Sequence, residues 1–369
     1  MSEWLKEPVS KTGKPARVSR VRIPPCPFNR FMPLSASDRL AGCLIGLCLG
    51  DALGAPVEAL LPSDASRYVR EVLRTGRAGA WTRQPYPFGQ YTDDGQLARE
   101  LMVSFSEQCG FEPAAAAARI AHSAETVGFV GLGPGSRGAI ERLLLGMPWD
   151  QAGTPPPYAG NGSAIRVAPF GLLFASQPDA LARAVIEQSR ITHQDPRCAA
   201  GALVIAEAAR LAARPGPVSA PAMLDGLAER VDSCDGSVAS ALRWLQEVVK
   251  LEPDEAIGRF EVSGLDPSAG DGPWRGLSAF VTLSVCWALY SFLRSPDDYW
   301  ETICTAILPG GDTDSTAAMA GAIAGARLGL GSLPVGLARL LTDRGTWGYD
   351  DLVGLAARCA ALVRGSGSS

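Results

Sequence analysis

Histidine is almost absent: the 369-residue chain holds two, His122 and His193. A Ser-His-Asp hydrolase or a histidine-rich metal site is therefore not expected. Nine cysteines are scattered with no C-x-x-C pair, which argues against a zinc site. Several sit on apolar helical faces, where cysteine acts as a small core residue, as suits a reducing cytoplasm. Alternation of β-branched and polar residues is nearly missing, which disfavours strands and leaves an all-α fold. No signal-peptide pattern is visible, and the longest uncharged run, Gly276 to Leu293, contains Ser278, Thr282, Ser284 and Ser291 between Arg275 and Arg294. That run reads as a buried helix rather than a membrane span. A net charge of −4 speaks against a general nucleic-acid binder.

What is present is concentrated in one stretch, LPGGDTDSTAAMAGAIAGARLGL, from Leu308 to Leu330. A glycine pair punctuates a turn, Asp312 and Asp314 follow with hydroxyls at Thr313, Ser315 and Thr316, and an Ala-rich helix begins. Carboxylate and hydroxyl oxygens suit a hard cation such as Mg²⁺ or Ca²⁺. The helix dipole favours ionised aspartate at that end. Asp and Ser are also ordinary caps. A second cluster, Tyr91-Thr92-Asp93-Asp94-Gly95, precedes another helical run. Four carboxylates brought together are costly without cations between them, so two bound metals are expected.

Along the chain, residues 1–34 stand apart, with six Pro and seven Lys/Arg against two Glu, a local charge of +5. Two readings stay open: a disordered tail, or an extended arm that docks on the acidic body or on a partner. Residues 35–364 read as one large helical domain, and 365–369 as a flexible tail. The first helix carries Gly42, Gly46, Gly50 and Gly54 at four-residue spacing; the Asp312 helix carries Gly321, Gly325 and Gly329. Both helices are expected to be central and closely packed, with Asp51 and Glu58 near the end of the first. Residues 60–90 look irregular, a loop feeding Thr92-Asp93-Asp94. Two further glycine-rich segments, 127–137 and 158–166, run into helices and can offer backbone N–H groups to a phosphate. His193, in a Thr-His-Gln-Asp-Pro turn, is a cap, a core-edge residue or a ligand contact.

The motifs GCLIGLCLGDALGAPVE (42–58), YTDDGQLA (91–98), GLGPGSRGAI (131–140), GNGSAIRVAPFG (160–171), THQDP (192–196) and LPGGDTDSTAAMAGAIAGARLG (308–329) resemble, in order, those of the ADP-ribosylglycohydrolase family. The resemblance implies a single compact orthogonal helical domain with a dinuclear centre of two Mg²⁺, with Mn²⁺ as the alternative. It implies Thr92, Asp93, Asp94, Asp312, Asp314 and Ser315 as metal ligands, and Glu58 or Asp94 as acid–base catalyst. Gly133, Gly135, Ser136, Asn161, Gly162, Ser163 and His193 would hold ADP-ribose. Gly95 stands where many members carry a threonine, which would remove a hydroxyl behind the metal site. The implied activity is removal of ADP-ribose from ADP-ribosylated protein, with arginine as the favoured linkage. Some relatives act as immunity proteins against ADP-ribosylating toxins, with an amino-terminal extension that plugs the toxin. A non-catalytic binding protein using residues 1–34 is the rival expectation.

Overall fold

The computed structural model describes residues 34–266 and 275–365. The basic arm up to residue 33, the last four residues and Trp274 fall outside these. Helices dominate, and among the described residues β-structure is limited to isolated bridges. The core consists of α1 (Ala36–Gly54), α2 (Asp93–Gln108), α3 (Pro134–Leu144), α4 (Gly162–Ile165), α5 (Pro196–Ala212), α6 (Val281–Arg294), α7 (Thr313–Leu328) and α8 (Tyr349–Gly365).

The antiparallel α1 and α7 form the centre, and the glycine stripes explain how closely they approach. The Cα of Gly42 lies so near α7 that an added Cβ would stand 2.5 Å from the Gly325 carbonyl oxygen. At Gly46 it would overlap the Gly321 carbonyl, at Gly50 that of Ala317 and at Gly54 that of Thr313. Only hydrogen fits between the two backbones at these positions. Hydrophobic side chains on the remaining faces of both helices are buried against α5, α6, α8 and the helix Tyr299–Ile307. The stretch Ala36–Val57 is long and apolar enough to cross a membrane, yet 94% of its apolar window is buried inside the fold. Its hydropathy is thus accounted for by core packing. The uncharged run before Arg294 forms α6, with Val281 through Leu293 buried.

The structure corrects one expectation. Residues 60–90 are not irregular throughout: Pro62–Tyr68 is helical and continues into a π-helical turn, Val69–Leu73. Pro62 starts that helix, a position where its missing N–H costs nothing. The irregular part begins near Arg74 and runs to the start of α2.

Among the described residues the eight cysteines are free, and six of them are buried. The buried six pack as small apolar residues.

Candidate metal centre and adjoining loops

The antiparallel contact of α1 and α7 brings the end of one helix beside the start of the other. Thr313 donates its hydroxyl to the Gly54 carbonyl at 2.9 Å, which ties the two ends together. Asp51 on the last turns of α1, Glu58 just beyond it, and Asp312 and Asp314 at the start of α7 therefore share one region. Carboxylate oxygens of Glu58, Asp312 and Asp314 lie within 4.8 Å of one another. Beyond α1 the chain is held in place because the Ala59 N–H donates to the Gly311 carbonyl at 2.9 Å.

The second cluster joins from α2. Asp51 is fully buried and accepts from the Thr92 N–H at 2.9 Å and the Gly95 N–H at 3.0 Å. A carboxylate thus satisfies two orphan donors at the amino end of α2 and fixes where Asp93 and Asp94 point. Val130 adds a second anchor: its carbonyl accepts from the Asp93 N–H at 2.7 Å, and its own N–H donates to Gln96 at 2.8 Å.

Electrostatics show the cost of the assembly. Burial, reinforced by Asp51 and Glu58, raises the Asp93 carboxyl to about 7. Burial raises Asp51 to about 7 and Asp312 to about 6. Asp94 and Asp314 are pushed well up by burial and by the neighbouring carboxylates. In addition, Thr92 Oγ1 and Asp94 Oδ2 are buried with no hydrogen-bond partner among the described residues. Unpartnered oxygens beside mutually repelling carboxylates are a poor arrangement for protein alone and a suitable one for a divalent cation. The residues present fit such a metal. Arg83, from the loop before α2, supplies a nearby cation, pairing with Glu58 and approaching Asp314 at 3.5 Å.

The hydroxyls of the Asp312 cluster divide their roles. Thr313 is bound to Gly54, and Thr316 to the carbonyls of Asp312 and Ala306. Ser315 is left beside Asp94 and Asp312, whose charged forms it favours.

The residues expected to hold a ligand divide as well. Gly135, Ser136, Gly162 and His193 come together. A Cβ at Gly162 would sit 3.0 Å from Ser136 Oγ and 3.1 Å from the His193 ring, and one at Gly135 would run into the Tyr158 ring. Tyr158 accepts from the Gly135 N–H at 3.2 Å and stacks on His193 with ring centroids 5.9 Å apart. Gly133 caps α3 with its carbonyl. Two side chains lie elsewhere. Asn161 turns to the carboxylates, donating to Asp312 at 2.6 Å and to Ser284 at 3.2 Å. Ser163 is fully buried, with its hydroxyl on Ser189 and the Cys198 carbonyl. His193 does not cap a helix; Asp195 caps α5.

Gly95 is also not a simple loss of a hydroxyl. The space of its missing side chain is filled by Tyr91 at 2.7 Å, Cys48 at 3.1 Å and Asp51 at 3.2 Å. Asp51 and Arg83 are the site residues that sequence reasoning passed over as ligand supports. Asp51 stood visible after the glycine stripe, but nothing local linked it to α2. Arg83 lies in a segment without periodicity.

Comparison with known proteins bears on the family and the fold. The family model described as ADP-ribosylglycohydrolase matches residues 32–369. The ADP-ribosyl-[dinitrogen reductase] glycohydrolase of Rhodospirillum rubrum is 28% identical, over 82% of this chain and 90% of that protein. Human ADP-ribosylhydrolase ARH3 is 30% identical, over 80% and 87%. The ADP-ribosylarginine hydrolase Tri1 of Pseudomonas putida is 28% identical, over 82% and 74%. A solved structure titled ADP-ribosylglycohydrolase-related protein complex superposes with a TM-score of 0.67 at 27% identity, covering 89% of this chain and 99% of that one. With its helical fold, its acidic centre and a match over nearly its whole length, the chain belongs to the ADP-ribosylglycohydrolase family.

Proposed function

We propose that the protein is a metal-dependent hydrolase that releases ADP-ribose from ADP-ribosylated arginine side chains. The observation that carries this is the buried carboxylate cluster with unpartnered Thr92 Oγ1 and Asp94 Oδ2, bordered by glycine-rich loops. Thr92, Asp93, Asp94, Asp312, Asp314 and Ser315 would hold two Mg²⁺, or Mn²⁺ in their place. Bound there, the cations would supply Lewis-acid polarisation and a more acidic water.

The protein's own groups do the rest. In the reaction the bond between ribose C1″ and the guanidine nitrogen breaks, the water oxygen joins C1″, and one proton ends on the departing guanidine. Glu58 suits the acid–base role better than Asp94. It is half-buried at the edge of the cluster, where protons exchange with solvent, whereas Asp94 is buried. Asn161 holds Asp312 in place through its 2.6 Å hydrogen bond. The loops at Gly133–Ser136 and Gly160–Gly162 would receive the diphosphate. Arginine is favoured among linkages by the relative named for that activity; the relatives named ARH3 keep other linkages in play.

The test is ADP-ribose release from arginine-modified protein with Mg²⁺, with EDTA, and with Asp312→Ala plus Asp314→Ala. Release that needs Mg²⁺ and falls at least a hundredfold in the variant is expected. Release only from a serine-linked substrate would change the substrate and keep the site. The basic arm is a separate proposal, as a segment that blocks an ADP-ribosylating toxin. Deleting residues 1–34 should then weaken toxin binding and leave hydrolysis intact; unchanged binding would refute it.

A further inference from the structure

Behind His193 lies a chain of buried polar side chains that makes no hydrogen bond to the carboxylates of the metal centre, although the Arg166 charge is felt by Asp93. Arg166, at the end of the α4 turn, is 1% exposed. No carboxylate pairs with it among the described residues. Its Nε donates to Gln188 Oε1 at 2.8 Å, and its Nη2 donates to the Gln188 carbonyl at 2.7 Å and to Thr192 Oγ1 at 2.9 Å. Nη1 has no partner. Gln188 is fixed in turn by donating its amide to the Ser163 carbonyl at 2.9 Å. Thr192 Oγ1 also stands 2.9 Å from His193 Nδ1.

The direction of each bond follows from what each group can do. A guanidinium only donates, so Thr192 accepts from Arg166. The Thr192 hydroxyl hydrogen then needs an acceptor, and among the described residues Nδ1 is the one within reach. Nδ1 therefore accepts, and in a neutral ring the proton belongs on Nε2. Burial and the adjacent Arg166 charge, opposed by Asp195, push the pKa of the ring down to about 3, which favours the neutral form. Nε2 lies 3.3 Å from where a Gly160 side chain would begin, in the space shared with Ser136 Oγ above Gly162. Neither Nε2 nor Ser136 Oγ is hydrogen-bonded to another described residue.

We propose that Gln188, Arg166 and Thr192 form a positioning relay that locks His193 as the Nε2–H tautomer, so that it presents a fixed donor to an acceptor oxygen of the ligand. The ligand assignment rests on the function proposed above, with a phosphate or ribose oxygen of ADP-ribose as that acceptor. The tautomer does not rest on it. Arg166 and Thr192 act through His193 and need not touch the ligand. None of the three relay side chains hydrogen-bonds a carboxylate of the metal centre among the described residues, so loss of the Thr192 hydroxyl should weaken binding without removing the metal.

The experiment is nitrogen-15 NMR of the histidine rings in the ligand-free full chain, at neutral pH and at pH 5.5. With two histidines in the sequence, His122→Gln assigns the spectrum at once. Wild type is expected to show His193 with protonated Nε2 and bare Nδ1 at both pH values. Thr192→Val, nearly the same shape without the hydroxyl, is expected to give mixed tautomers. It should also weaken ADP-ribose binding about five- to tenfold by calorimetry, the effect of about one hydrogen bond. Thr192→Ser should keep the wild-type tautomer and affinity. A wild-type ring protonated on Nδ1, a ring charged at pH 5.5, or a Thr192→Val ring still purely Nε2–H would overturn the relay. Wild-type protein with the expected tautomer but no affinity for ADP-ribose would leave the relay standing and refute the ligand assignment.

Discussion

At the scale of single residues, Asp51 shows how a group outside the ligand set can decide whether that set exists. Its carboxylate accepts from the Thr92 and Gly95 N–H groups at the start of α2. Asp51→Ala would leave two buried donors unpaired, a cost of about 1–3 kcal/mol each. We expect a lower urea midpoint and weaker Mg²⁺ binding by calorimetry, with Asp51→Asn intermediate because its amide oxygen can still accept. Wild-type metal affinity in Asp51→Ala would show that α2 places its aspartates unaided. Arg83 acts at the same scale from the opposite direction, as a cation on Glu58 and Asp314. Arg83→Gln should leave those carboxylates less compensated and destabilise the metal-free protein.

At the scale of elements, the contact between α1 and α7 is both the core and the device that builds the site. Moving the helices apart by a methyl group would shift Asp51 and Glu58 relative to Asp312 and Asp314. Gly50→Ala would place a Cβ on the Ala317 carbonyl. Backbone cannot step aside as a side chain can, so we expect a loss of about 1–3 kcal/mol in chemical denaturation. Metal affinity should fall as well, because the ligands ride on these two helices. The same substitution at Gly226, where nothing lies within 4 Å, should be neutral or slightly stabilising. Loops join the site through equally specific ties. Arg344 donates to the Val127 and Gly128 carbonyls and holds the loop that reaches Asp93 through Val130.

At the scale of the whole molecule, metal binding and stability are linked. Burial holds the Asp51, Asp93 and Asp312 carboxyls at about 7, 7 and 6, above the usual value of 3.8. In metal-free protein the folded state therefore keeps protons that the unfolded chain releases between those values. Stability from these groups is present below about pH 4 and is lost as pH rises through 6 to 7. With EDTA, these groups should thus lower Tm between pH 5.5 and pH 8. Mg²⁺ binds the deprotonated form and should raise Tm more at pH 8 than at pH 5.5. An EDTA-treated protein with the same Tm at both values, and no response to Mg²⁺, would argue against carboxylates crowded in this way.

Much of this was legible in the chain itself. Helical class follows from Ala-rich periodicity and the near absence of strand patterns, both local properties. The pairing of α1 with α7 was readable because glycine at four-residue spacing leaves a smooth face that little else requires. Asp93, Asp94, Asp312 and Asp314 stood out because carboxylates cluster at helix starts. Other features depend on what lies across space. The sequence could not say that Asp51 reaches the amino end of α2, that Arg83 meets Glu58, or that Asn161 turns to Asp312 while Ser163 sinks into the core. Nor could it show that the His193 ring sits beside Arg166, an arginine that forms no salt bridge among the described residues. Spacing along a chain determines which side chains share a helix face. Which faces meet, and so which hydrogen bonds and charges are forced together, is decided only when the helices pack.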